Sequence, residues 1–167
     1  MTKVAAEVAD GMIMHPFSSA KYIREVTLPA INAGLANRSL PVDTFELDYA
    51  PIIATGTNEE SLASAIETAR DRIAFYGSTE AYRPVLEQHG WGELQSELAM
   101  LNKRRQQADM VALIDDEILN TIAIVGEPAM VVDEMRERLG GVIQRTGFHV
   151  PGLPEDEHLA LISRLKA

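Results

Sequence analysis

The stretch from Ala9 to Ser19 constrains this chain more than any other, because within it a helix ends, a short apolar strand runs and a second helix is capped. Asp10-Gly11 is turn chemistry, Met12 to Met14 is an unbroken apolar run suited to a strand covered on both faces, and Ser18 or Ser19 can cap the second helix. His15, Pro16 and Phe17 stand between strand and helix. In α/β proteins ligands collect beyond the carboxyl ends of parallel strands, so these three residues lie where a site is expected.

The same joint recurs. Phe45, Leu47 and Tyr49 alternate with Glu46 and Asp48, and the segment turns wholly apolar through Ile52, Ile53 and Ala54. Thr57 and Glu60 then read as a capping box before a helix with apolar residues at Leu62, Ala65, Ile66, Ala69 and Ile73. Between the two joints a helix is expected from about Ala20 to Asn37, kinked or divided by Pro29. From Ser78 to Val125 the apolar spacing is helical with no strand, an insertion longer than an ordinary αβ connection. Pro128 suits a first helical position, Gly140-Gly141 stops that helix, Val142 to Phe148 reads as a third strand, and Pro154 opens a last helix.

Strands alternating with helices imply parallel βα units. Three strands do not close a barrel, and the visible units equal the last part of a (β/α)₈ barrel. The first helix, capped by Thr2, has no strand before it, so the expectation is the carboxyl-terminal part of a longer barrel, spanning 1–167, with a helical insertion at about 78–125.

At 167 residues and 46% apolar composition the chain can bury a sizeable core. A formal net charge of -10 disfavours nucleic acid or an anionic membrane as partner, leaving a small molecule or a protein. With no cysteine there is neither disulfide nor thiolate chemistry, and no run approaches the length of a membrane span, so a cytoplasmic location is expected.

Ala5-Ala6-Glu7-Val8-Ala9-Asp10-Gly11, Phe75-Tyr76-Gly77-Ser78-Thr79-Glu80-Ala81-Tyr82, His89-Gly90-Trp91, Leu113 to Glu117 and Val125-Gly126-Glu127-Pro128, in that order and spacing, give the chain a family likeness. It resembles the carboxyl-terminal half of a bacterial-luciferase-like oxidoreductase, in particular the branch that uses the 8-hydroxy-5-deazaflavin coenzyme. The resemblance implies a partial TIM barrel and a flavin-type coenzyme, deazaflavin or alternatively FMN. It also implies hydride transfer or monooxygenation on a small-molecule substrate, with the half alone inactive. The rival expectation is a non-catalytic half-barrel module that self-associates, since open strand edges promote homo-oligomers.

Position at strand ends nominates the binding residues. His15 could hydrogen-bond a coenzyme, or simply fix the turn beside Pro16. Ser18, Ser19 and Lys21 could hold a phosphate or serve as caps. Thr55 and Gly56 occupy the equivalent place in the next unit, and His149 follows the third strand. No catalytic residue is nominated. Asp115-Asp116-Glu117 is a solvated helix start rather than a metal site, because consecutive helical residues point in different directions.

Overall fold

The computed structural model describes residues 1–39, 41–147, 150 and 153–166. The chain opens with helix α1 (Thr2–Val8) and strand β1 (Gly11–Met14). Ser19 caps α2 (Ala20–Tyr22) by accepting the Tyr22 N–H. A π-helical turn (Ile23–Thr27) then joins α2 to α3 (Leu28–Leu35). Pro29 explains the turn. It has no N–H to donate, and its ring would strike the carbonyl of Glu25, so the ladder widens and Leu28 N–H donates instead to Ile23 O.

Helices α1 and α3 cross at Gly34 and Ala6, where a Cβ on Gly34 would lie 2.2 Å from Lys3 O and 2.7 Å from Ala6 Cβ. Arg38 fastens this crossing. Its side chain is out of contact with solvent, donates to the carbonyls of Ala6 and Ala9 at the end of α1 and to Thr44 Oγ1, and lies over the Phe45 ring.

β2 (Glu46–Tyr49) pairs in parallel with β1, Met12 opposite Leu47 and Met14 opposite Tyr49. Its alternation is as expected: Leu47 and Tyr49 are buried, Glu46 and Asp48 are not. The expected single long strand is broken at Ala50-Pro51, where proline removes a ladder donor, and β3 (Ile52–Ala54) continues in a second sheet. Its parallel partner is β4 (Ala123–Val125). This corrects the expectation of no strand between Ser78 and Val125. Three apolar residues after a helix, with no polar break, carry no periodicity of their own, and only pairing with β3 makes them extended.

The expected third strand at 142–148 is corrected as well. Among its described residues, regular pairing is reduced to one parallel bridge, Arg145 with Asp48. The Gln144 side chain takes the Leu47 N–H that a neighbouring strand's carbonyl would have accepted, so no ladder propagates. Among the described residues the strands are therefore four short ones in two pairs, beside the Arg145 bridge.

The long helix α4 (Glu59–Gly77) comes after β3 and is succeeded by α5 (Arg83–Glu87), α6 (Gly92–Lys103), α7 (Gln107–Ala112) and α8 (Asp116–Ile122). Its cap is one residue later than expected: Asn58 accepts the Ser61 N–H and the Asn58 N–H donates to Ser61 Oγ, in place of Thr57 and Glu60. α9 (Pro128–Leu139) and α10 (Glu155–Lys166) complete the order of elements.

Ile52, Ala54 and Ala123 pack into the helical layer, whereas Ile53 and Ile124 pack against α9 and Leu165, so the β3–β4 sheet is covered on both faces. Met12, Met14 and Leu47 pack against α1 and α3. Ile13 between them is 83% exposed, so β1 is covered on one face rather than the expected two. No helix among the described residues is long and apolar enough to cross a membrane.

Candidate functional site

Beyond the carboxyl end of β1, Phe17 N–H donates to His15 Nδ1 at 3.1 Å, closing the turn over Pro16. The His15 ring stacks on Tyr82 at 4.4 Å and meets Tyr76 edge-on at 4.6 Å. Burial, and secondarily the positive charge of Arg72, push its pKa below the ordinary histidine value. With Nδ1 accepting, the neutral ring carries its proton on Nε2. Phe17 drives into the helical layer against Tyr76 and Tyr82 and is almost wholly buried, which pins the β1 joint to α4 and α5.

Ser19 and Lys21 are engaged in structural contacts. Ser19 Oγ caps α2 and meets His89 Nε2 at 2.8 Å, and Lys21 Nζ donates to Gln88 O. His89 stacks on Trp91, and burial, together with the smaller effect of the Lys21 charge, lowers its pKa. These contacts account for both Ser19 and Lys21. Ser18 is buried and its Oγ has no hydrogen-bond partner among the described residues. It borders a cavity of about 10 Å³ shared with Tyr49 and Arg138, room for about one water molecule. The Tyr49 hydroxyl donates to Pro16 O, and burial raises its pKa, so it stays protonated.

The end of β3 differs. Thr55 is 3% exposed, and its Oγ1 is the other buried side-chain oxygen without a partner among the described residues. A Cβ on Gly56 would fall 2.3 Å from Leu62 N and 2.5 Å from Ser61 Oγ, so glycine here lets the chain pass over the start of α4. Both residues border a pocket of about 340 Å³ whose wall is one stripe of α4, Ser61, Ser64, Thr68 and Arg72. At 1.5 Å rise per residue, Arg72 stands about 16 Å along the helix from Ser61, so the pocket is a trench. Its far end, at Arg72, is within electrostatic reach of His15. Arg72 is thus the residue of the trench whose charge is felt at His15, while His15, Tyr76 and Tyr82 lie outside its lining.

His149 lies outside the described residues. Asp115 caps α8 through the Ile118 N–H, and Asp116 pairs with Arg70. Among the described residues no cluster of histidine and carboxylate side chains could hold a metal. Strand-end position does not nominate Arg72, Tyr76 or Tyr82. The hydroxyl stripe leading to an arginine on α4 is the available signal for Arg72, whereas nothing local reveals that Tyr82 reaches back to His15.

Short parallel strands, interspersed with helices and paired in two small sheets, define an α/β fold. The model of the luciferase-like monooxygenase family matches residues 1–145, and the chain belongs to this family. An uncharacterized protein of Mycobacterium tuberculosis is 45% identical over 145 residues, 87% of this chain and 43% of that protein. The 5,10-methylenetetrahydromethanopterin reductase of Methanopyrus kandleri is 29% identical over 160 residues, covering 94% of this chain and 44% of the reductase. The solved structure of a coenzyme F420 dependent tetrahydromethanopterin reductase from Methanopyrus kandleri superposes with a TM-score of 0.74 at 23% identity, over 98% of this chain and 46% of that one. The chain spans less than half the length of these relatives.

Proposed function

We propose that residues 1–167 form the carboxyl-terminal part of a luciferase-like TIM-barrel oxidoreductase, with 78–125 as its helical insertion, and that their strand ends supply part of a flavin-type coenzyme site. The observation that carries this reading is the trench running from Thr55 to Arg72, with an unsatisfied buried hydroxyl at one end and an arginine at the other. A buried hydroxyl without a partner costs about 1–3 kcal/mol, so a ligand that satisfies it is favoured. About 340 Å³ is near the lower end of small-molecule sites, which suits part of a coenzyme, the rest being held by other strands.

The similar Methanopyrus kandleri reductase, described as coenzyme F420 dependent, favours the 8-hydroxy-5-deazaflavin coenzyme over FMN. When bound, that coenzyme supplies the hydride chemistry. His15 Nε2–H, held by Tyr82 and by its Nδ1 bond, is a fixed neutral donor toward coenzyme or substrate, and the tyrosine rings exclude water beside it. Ser18 and Gly56 shape the two joints on which the site stands. The substrate is a small molecule, and the location is cytoplasmic.

The test is to join the chain to the amino-terminal barrel portion of the Mycobacterium tuberculosis relative and titrate both coenzymes. Deazaflavin binding tighter than FMN supports the reading, and the reverse order overturns the coenzyme assignment. A second reading, a non-catalytic half-barrel that self-associates, is favoured by the exposed Ile13 and the open edge of β1. A stable homodimer of the 167-residue chain, with the completed barrel lacking turnover, would support it instead.

A further inference from the structure

The trench along α4 carries more than a generic site. In a chain with 25 acidic residues and a net charge of -10, none of its described lining residues is a carboxylate. Arg72 forms no hydrogen bond or ion pair among the described residues, while Arg38, Arg70, Arg83, Arg138, Arg145 and Arg164 all form ion pairs. The hydroxyls nearer the start of α4 are partly engaged within the helix: Ser61 Oγ donates to Asn58 O and Thr68 Oγ1 donates to Ser64 O. Ser64 Oγ and Thr55 Oγ1 remain as donors on the way to Arg72. Acid-free walls, an uncommitted guanidinium at one end and a buried hydroxyl at the other select an elongated ligand with a negative end.

We propose that Arg72 seats the phosphate of an elongated phosphorylated ligand lying in this trench, the remainder of the ligand running toward Thr55. The same chemistry accepts a phosphate carried by the coenzyme or by the substrate, and the two sources are separable. The inference goes beyond the coenzyme reading, because phosphate binding at Arg72 is measurable without turnover and without a flavin.

The experiment titrates inorganic phosphate into the 167-residue chain at constant ionic strength, with chloride as the control anion, and follows the His15 ring by NMR. An anion seated on Arg72 offsets the charge that depresses His15, so the His15 pKa rises saturably with phosphate and not with chloride. Arg72→Gln, an exposed and unpaired position whose loss leaves the fold intact, should weaken phosphate binding at least tenfold. Lys21→Gln, which removes a cation near His89 instead, should leave it unchanged. A response equal for chloride and phosphate, or one that survives Arg72→Gln, overturns the proposal. Adding the deazaflavin coenzyme and its phosphate-free riboside then assigns the source. Displacement of phosphate by the coenzyme but not by the riboside assigns it to the coenzyme, and displacement by a sugar phosphate alone assigns it to the substrate.

Discussion

Phe17→Ala tests how the strand-end site is fastened to the rest of the molecule. Phe17 is 2% exposed and is the point at which the β1 joint enters the core formed by α4 to α8. Truncating a buried phenylalanine removes about 1.5–3 kcal/mol of transfer energy and adds a cavity term, for a total of about 3–5 kcal/mol. The structure argues for the upper part of that range. Gly77, whose missing Cβ would lie 3.6 Å from the tip of the ring, has no side chain to fall into the hole, and Tyr76 and Tyr82 are held by His15. Against a total stability of about 5–15 kcal/mol this is a large fraction, equivalent to a fall in Tm of roughly 6–20 °C for a chain of this size. Phe75→Ala is the control, because that neighbouring ring is 52% exposed and its loss should cost under about 1 kcal/mol. Urea unfolding followed by the fluorescence of Trp91, the one tryptophan, measures both. A Phe17→Ala stability within about 1 kcal/mol of the parent, at unchanged m, would refute the anchoring argument.

Gly34→Ala should force α1 off α3, since the added carbon would sit 2.2 Å from Lys3 O; a cost of about 1–3 kcal/mol is expected, with amide exchange accelerating first in α1. Arg38→Met keeps the stem but leaves the carbonyls of Ala6 and Ala9 without their donor, so a loss of about 2–4 kcal/mol in urea unfolding is expected, and unchanged stability would contradict the role assigned to it. His15 and His89 both have folded pKa values below 6.5, so the unfolded chain binds more protons in that window. Their contribution to stability should therefore be complete above about pH 7 and fall as pH drops below about 6.5. Replacing both by Gln should flatten the acid side of the stability profile, and an unaltered slope would show that other groups govern it.

Interaction range decides which features are legible in the sequence and which are hidden. Turn chemistry at Asp10-Gly11, the cap at Ser19, the break at Pro29 and the alternation from Phe45 to Tyr49 act within a few residues, and each is legible. β4 is hidden because Ala123 to Val125 is extended only through its distant partner Ile52 to Ala54. The segment at 142–147 misleads in the opposite sense: its strand-like composition is overridden by the Gln144 side chain bonding Leu47 across the fold. At the site, strand-end logic nominates His15, Ser18, Thr55 and Gly56 by position alone. The aromatic clasp on His15 depends on Tyr76 and Tyr82 lying against the β1 joint, which no local pattern encodes, whereas the trench to Arg72 is signalled only by the hydroxyl stripe of α4 and needs the end of β3 to close it.

The central claim is that the strand ends of β1 and β3 serve one coenzyme site. Its most direct test is the dissociation constant of the deazaflavin coenzyme, by fluorescence titration, for the chain joined to the relative's amino-terminal barrel portion. His15→Ala and Thr55→Val should each weaken binding about tenfold or more, roughly the 1.4 kcal/mol of one good hydrogen bond, while Asp116→Ala, which opens only an exposed pair with Arg70, should leave it unchanged. Binding lost in Asp116→Ala but intact in the other two variants would contradict the account.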